Sequence, residues 1–225
     1  MEKGLLITIE GSDGSGKHTQ TELLCQTLRE RNLSVKQLSF PCYDSQSSAL
    51  VKMYLGGEFG AHPEDVNPYA ASTFYAVDRF ASFKKDWEPF YRDGGIVISD
   101  RYTVSNAIHQ GAKLEGCEKA AYLDWLFDFE YRKIGIPAPD LVLYLDVPPA
   151  VSARLRAERE QRTNTKPDIH EQDLAYLEKC RISSLEIAKL YSWVVIDCMD
   201  GDTLKSPGDV HREILRTVEL VTGIF

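Results

Sequence analysis

The chain lacks any run near the roughly 18 consecutive apolar residues that span a bilayer. It also lacks a long apolar leader and a signal-cleavage pattern, since the N-terminus passes directly into a short strand. These absences exclude a spanning helix and predict a cytoplasmic protein without a membrane partner. The five cysteines, Cys25, Cys42, Cys117, Cys180 and Cys198, show no C-x-x-C spacing. An odd, dispersed set argues for reduced thiols and against a disulfide frame or zinc site. Basic excess is missing too: the net charge is −8. A nucleic-acid partner is therefore not expected, and any small anionic substrate requires a local basic pocket.

What the chain does have is the makings of one core. Apolar residues at 43% and charged residues at 27% of 225 residues are ordinary for a globular protein. No linker, repeat or low-complexity stretch divides it, so residues 1–225 are expected to form a single domain.

The apolar segment Ile7-Thr8-Ile9-Glu10 leads into GSDGSGKHT, Gly11 to Thr19, and then into a helical pattern. Backbone N–H groups of such a turn converge on anionic oxygens, the helix dipole adds attraction, and Lys17 supplies a mobile charge. The expected nucleotide-phosphate contacts are Gly11, Ser12, Gly14, Ser15, Gly16, Lys17, His18 and Thr19. An ordinary glycine-rich turn after a strand is the competing explanation. The match to G-x-x-x-x-G-K-[ST] fails only at His18, where a hydroxyl normally meets Mg²⁺. Thr19 comes one residue late, a rotation of roughly 100° on a helix, so it cannot take over that position.

Periodicity predicts helices over 19–31, about 47–55, 68–91, 118–132, 151–162, 173–190 and from Pro207 onward. Strands are predicted over 7–10, 35–40, 96–98, 141–145 and 194–196. Five strands interleaved with helices imply a three-layer α/β domain with a parallel sheet, whose ligands gather at the strands' carboxyl ends.

Asp100-Arg101 follows one such strand, where a carboxylate can face Mg²⁺ and a guanidinium can grip a phosphate. A structural ion pair is the alternative. Arg154, Arg156, Arg159 and Arg162 form either a solvated helix face or, given a phosphate loop, an arginine-bearing lid at about 154–170. Tyr75 and Arg79, four residues apart on one helix, share a face and could stack a base and bond its edge. They could equally be a core ring and a surface pair of Arg79 with Asp78 or Asp86.

Taken together, GSDGSGKHTQ at 11–20, FPCY at 40–43, FYAVDR at 74–79, DRYTVSNA at 100–107 and PAPDLVLYLDVP at 137–148 resemble thymidylate kinases in order and approximate spacing. The resemblance covers nearly the whole chain. It implies a P-loop kinase fold and transfer of the γ-phosphoryl group of ATP to dTMP, with Mg²⁺, in a homodimer. Asp13 resembles the carboxylate near the acceptor sugar and Mg²⁺, with Asp100 a second metal candidate. Lys17 would contact donor phosphates and Arg101 the acceptor phosphate. Arg79 would bond the thymine edge, with Tyr75 in the stacking position, while Asn106, Tyr43 and Phe40 line the pocket. Asp168 and Glu171 match acidic positions after the lid.

Three departures from the family pattern stand out. Gly14 occupies a position where some members carry a catalytic arginine, which shifts that role to lid residues, first Arg159 and then Arg162. His18 leaves Asp13, Asp100, phosphates and water as metal ligands. Cys42 and Tyr43 cannot supply the arginine that many relatives have near this segment, so Arg101 carries more of the acceptor phosphate. The alternatives are another nucleotide or nucleoside kinase on the same fold, or an inactive nucleotide-binding regulator.

Overall fold

A computed structural model describes residues 3–163 and 174–224, with side chains outside 158–163. Five parallel strands form the sheet: β1 (Leu5–Gly11), β2 (Val35–Ser39), β3 (Ile96–Asp100), β4 (Leu141–Asp146) and β5 (Val194–Asp197), in the order β2-β3-β1-β4-β5. β1 is central because it is buried on both faces, pairing Ile7 with Ile98 on one side and with Leu141 on the other. β3 and β4 flank β1, so the order reverses there and a crevice opens above the carboxyl ends of all three.

Alternation along the strands separates two cores. Ile7, Ile9, Ile98 and Leu143 face one side with Leu24, Cys25 and Leu28 of α1 (Lys17–Glu30). Val210, Ile214 and Val218 of the C-terminal helix (Pro207–Thr222) join the same cluster. The opposite face is covered by residues 83–91, α5 (Thr103–His109) and α8 (Leu174–Leu190). Leu6 and Val97 meet Trp87 and Tyr102, while Val142 and Tyr144 meet Val104, Tyr176 and Cys180.

Between the strands run α2 (Ala49–Leu55), α3 (Pro68–Ser82), α4 (Glu88–Arg92), α5 (Thr103–His109), α6 (Gly116–Phe127), α7 (Pro149–Thr163) and α8 (Leu174–Leu190). The terminal helix Pro207–Thr222 is α9. The helix expected over 68–91 is divided by a wider π turn at Phe83–Trp87. Pro89 has no N–H to give the preceding turn, so the regular ladder cannot run through it. A second π turn, Asp128–Lys133, replaces the end of the helix expected over 118–132 and turns Glu130 into the interior. α5 has no counterpart in the periodicity because all seven of its residues are buried, which leaves no polar face to mark a helix. The hairpin of β6 (Met199–Asp200) and β7 (Thr203–Leu204) was also unforeseen, its strands being two residues each.

Ile214 is fully buried in the cluster shared by α1, α9 and the sheet. Ile214→Ala should lower unfolding free energy by about 2–5 kcal/mol in a denaturant titration, the usual cost of a core cavity. A loss under about 1 kcal/mol would show that α9 does not hold this face together.

Candidate active site

At the end of β1 the chain turns through three positive-φ glycines. Gly14, at φ 87°, has no room for a side chain: an added Cβ would lie 2.3 Å from the Ser152 carbonyl on α7. The first turns of α7 therefore occupy the space that a residue-14 side chain would need. Gly16 caps α1 at φ 88°, a left-handed conformation that glycine adopts without strain. Lys17 follows, buried, its Nζ donating to the Ser12 carbonyl at 2.8 Å and lying 3.6 Å from Asp13 Oδ1. Burial and the nearby Arg101 charge pull the Lys17 ammonium below its ordinary pKa, against the carboxylates of Asp13, Asp100 and Glu10. Anionic oxygens arriving here would relieve that strain on its charge.

Arg101 stands across from the loop at φ 65°, in the left-handed region that arginine rarely adopts. Its backbone is pinned on both sides. Arg101 N donates to the Ile9 carbonyl at 3.1 Å, and Ser99 Oγ donates to the Arg101 carbonyl at 2.6 Å. The next residue, Tyr102, donates its N–H to Glu10 Oε1 at 2.8 Å. The guanidinium then spreads over three acceptors. Nη2 donates to Asp13 Oδ1 at 2.6 Å, and Nη1 donates to Ser105 Oγ at 3.2 Å and to His109 Nε2 at 3.3 Å.

Burial opposes the Arg101 charge, but Asp13, Asp100 and Glu10 outweigh it and raise the pKa further above the usual range. Burial likewise opposes the Asp13 carboxylate, yet Arg101 and Lys17 hold it well below the usual carboxylate range. Asp13, Lys17 and Arg101 thus converge as charged groups at the sheet's carboxyl end.

Asp100 is buried beside them, with Oδ2 3.8 Å from Nδ1 of exposed His18. His18 also lies 3.3 Å from Glu22. Thr19 is exposed. Among the described residues no group of three or more His, Cys, Asp or Glu side chains could hold a metal. Asp13 and Asp100 nevertheless suit Mg²⁺, which takes one or two carboxylates and completes its shell with phosphates and water.

Two of the base-side candidates, Tyr75 and Arg79, come from α3. Arg79 is buried and paired bidentately with Glu130, Nε to Oε2 at 2.8 Å and Nη2 to Oε1 at 2.5 Å. Its Nη1 reaches the Tyr102 carbonyl at 3.4 Å, and Thr103 Oγ1 donates to the same Glu130 carboxylate at 2.8 Å. The alternative of a surface pair with Asp78 or Asp86 is not what forms. Asp78 instead accepts from Cys42 N at 2.7 Å and Ser47 Oγ at 2.6 Å. Tyr75 is half-buried and meets Tyr54 edge-on, with ring centroids 6.4 Å apart. Asn106 is buried and donates Nδ2 to the Ser72 carbonyl at 3.2 Å. Phe40 packs on Tyr102 at 5.9 Å, whereas Tyr43 is exposed.

Of the expected lid, Arg154 is exposed and Arg156 half-buried on α7. The side chains of Arg159 and Arg162, together with Asp168 and Glu171, lie outside the described residues.

A family model described as thymidylate kinase matches residues 9–214. The chain belongs to the thymidylate kinase family. It is 36% identical over 158 residues to a thymidylate kinase of Mycobacterium tuberculosis, covering 70% of this chain and 71% of that protein. A probable thymidylate kinase of Pyrobaculum aerophilum is 30% identical over 216 residues, 96% of each. The fold also matches the solved thymidylate kinase structure from Candida albicans, with a TM-score of 0.69 at 23% identity over 97% of this chain and 92% of that one. The P-loop kinase fold and the ATP-dependent kinase class expected from the sequence agree with this membership, and neither alternative reading is favoured.

Four groups in this family member's site escaped sequence reasoning: Glu10, Ser105, His109 and Glu130. Glu10 carried the one available signal. On β1 it shares a face with Leu6 and Thr8, so strand alternation alone turns its carboxylate under the helical layer. There it accepts from Tyr102 N and from Ser105 Oγ, the latter at 2.6 Å. Burial raises its pKa from 4.5 to about 7, against the opposing pull of Ser105, Arg101, Lys17 and Tyr102.

Between those two values the native state binds more protons than the unfolded chain, so Glu10's contribution to stability falls as pH rises from 4.5 to about 7. Denaturant titrations of wild type and Glu10→Gln across that range should differ by this slope, the variant losing it. Parallel curves would contradict the buried, late-ionising carboxylate.

Proposed function

We propose that Lys17 and Arg101 act as the fixed cations of phosphoryl transfer from ATP to dTMP, giving dTDP and ADP on the route to dTTP. Three ionic groups gathered at one sheet end carry this reading: Asp13, Lys17 and Arg101, within 2.6–3.6 Å contacts. Phosphoryl transfer asks the protein for in-line placement and charge stabilisation more than for covalent chemistry. Backbone N–H groups of Gly11, Ser12, Gly14, Ser15, Gly16, His18 and Thr19 line the donor phosphates, and Lys17 neutralises them. Arg101 grips the acceptor phosphate while Asp13 fixes the guanidinium and approaches the acceptor sugar.

Arg79, locked by Glu130, offers its two remaining N–H hydrogens toward the thymine edge. Tyr75 supplies the stacking ring, with Asn106, Tyr43 and Phe40 around it. Asp13 and Asp100 would hold Mg²⁺ with phosphates and water; the ion would neutralise phosphate charge. Arg159, or next Arg162, supplies the charge that Gly14 cannot, from a lid at about 154–170. This division suits the observed crowding of Gly14 by α7. The working form is a cytoplasmic homodimer of a single 1–225 domain, and the five free cysteines suit a reducing compartment.

A coupled assay with ATP, Mg²⁺ and a panel of nucleoside monophosphates should show dTMP as the preferred acceptor. Arg101→Ala should reduce turnover by about two orders of magnitude, the scale for losing one preorganised charged donor. Near-normal turnover would remove Arg101 from the mechanism. Arg79→Ala should erode discrimination between dTMP and dCMP, because an unpaired base edge costs affinity. Unchanged selectivity would deny Arg79 that task.

A further inference from the structure

α5 ends at His109, and this imidazole stands between the Arg101 guanidinium and α8. One ring nitrogen, Nε2, is 3.3 Å from Arg101 Nη1; the other, Nδ1, is 3.7 Å from Cys180 Sγ. Arginine has no acceptor, so Nε2 must present its lone pair and a neutral ring must carry its proton on Nδ1. Nδ1–H then donates to the Cys180 sulfur. That thiol is pushed by burial up to about 12 and stays protonated at neutral pH.

Tyr176, one helical turn before Cys180 and on the same face of α8, donates its hydroxyl to the His109 carbonyl at 2.5 Å. α8 thus grips His109 twice, at ring and backbone. The ring is itself nine-tenths buried. Arg101 is anchored to the phosphate loop by Asp13 and to α5 by Ser105, whose hydroxyl is in turn held by Glu10. His109 adds a third anchor, the one that reaches α8.

We infer that His109 is a positioning residue for the acceptor-phosphate arginine: its Nδ1–H tautomer, set by Cys180, turns Nε2 toward Arg101 and aims the guanidinium. The inference rests on Arg101 being the acceptor-phosphate group. Its own content is the tautomer and the need for an acceptor at that point. A neutral acceptor suits the place, since a second cation would repel Arg101 and a carboxylate would compete with the incoming phosphate.

His109→Leu removes the acceptor; His109→Gln returns an oxygen near the Nε2 position. The Leu variant should lose about tenfold or more in kcat/KM for dTMP, the scale of a hydrogen bond to a charged group, with KM for ATP unchanged. The Gln variant should recover most of that loss. A Gln variant as poor as Leu, or a Leu variant equal to wild type, would overturn the inference. In an Arg101→Ala background the His109→Leu loss should vanish, and full additivity would overturn it.

Arg101→Ala turning over like wild type would overturn the reading of Arg101 and the inference with it. A crippled Arg101→Ala beside an unaffected His109→Leu would overturn the inference alone. Long-range ¹⁵N–¹H correlation on the wild-type protein tests the tautomer without any variant: an unprotonated Nε2 is expected at neutral pH, and a protonated one contradicts it.

Discussion

Arg101 reaches the mouth of the sheet from a left-handed backbone position that costs an ordinary residue roughly 1–2 kcal/mol. That cost is offset by three bonds from two neighbouring strands, β1 and β3: Ile9 to its N–H, Ser99 to its carbonyl, and Glu10 to the N–H that follows. The conformation turns the guanidinium toward Asp13 and the phosphate loop instead of along β3. Much of the neighbourhood follows from it. β1 must be central so that Ile9 and Glu10 lie beside β3, and α5 must be buried so that Ser105 and His109 can reach the same side chain.

An acidic chain handles acidic substrates here by concentrating its few buried cations. Lys17 and Arg79 are buried and Arg101 is partly so, and each is balanced by a carboxylate that is itself fixed: Asp13 for the first and third, Glu130 for the second. Such pairs contribute little net stability, because desolvation consumes most of the Coulomb gain. Their value is orientation. Glu130 also accepts from Thr103, and Arg79 donates to the Tyr102 carbonyl, so Arg79 and the segment that follows Arg101 share one network.

The five-stranded sheet and the glycine loop after β1 were legible from alternation and glycine spacing, and the place of Asp100-Arg101 at the end of β3 from the apolar run before it. The crowding at residue 14 was not: Gly14 departs from the arginine some relatives carry, but only the folded chain brings the Ser152 carbonyl of α7 against it. The partners that aim the cations were not. Glu130 sits in a π turn that helical periodicity cannot anticipate, and it, not Asp78 or Asp86 of the alternative reading, pairs with Arg79. His109 belongs to a helix with no exposed face, so nothing in its neighbours marks it. Cys180 and Tyr176, which hold it, lie some 70 residues further along, a separation that only the folded chain closes.

The most direct test is a structure with dTMP and a non-hydrolysable ATP analogue bound together. The acceptor phosphate should lie within hydrogen-bonding distance of the Arg101 guanidinium, with Asp13 still paired to it and the donor phosphates wrapped by the loop at Lys17. An acceptor phosphate turned away from Arg101, or a thymine lodged apart from Tyr75 and Arg79, would contradict the account.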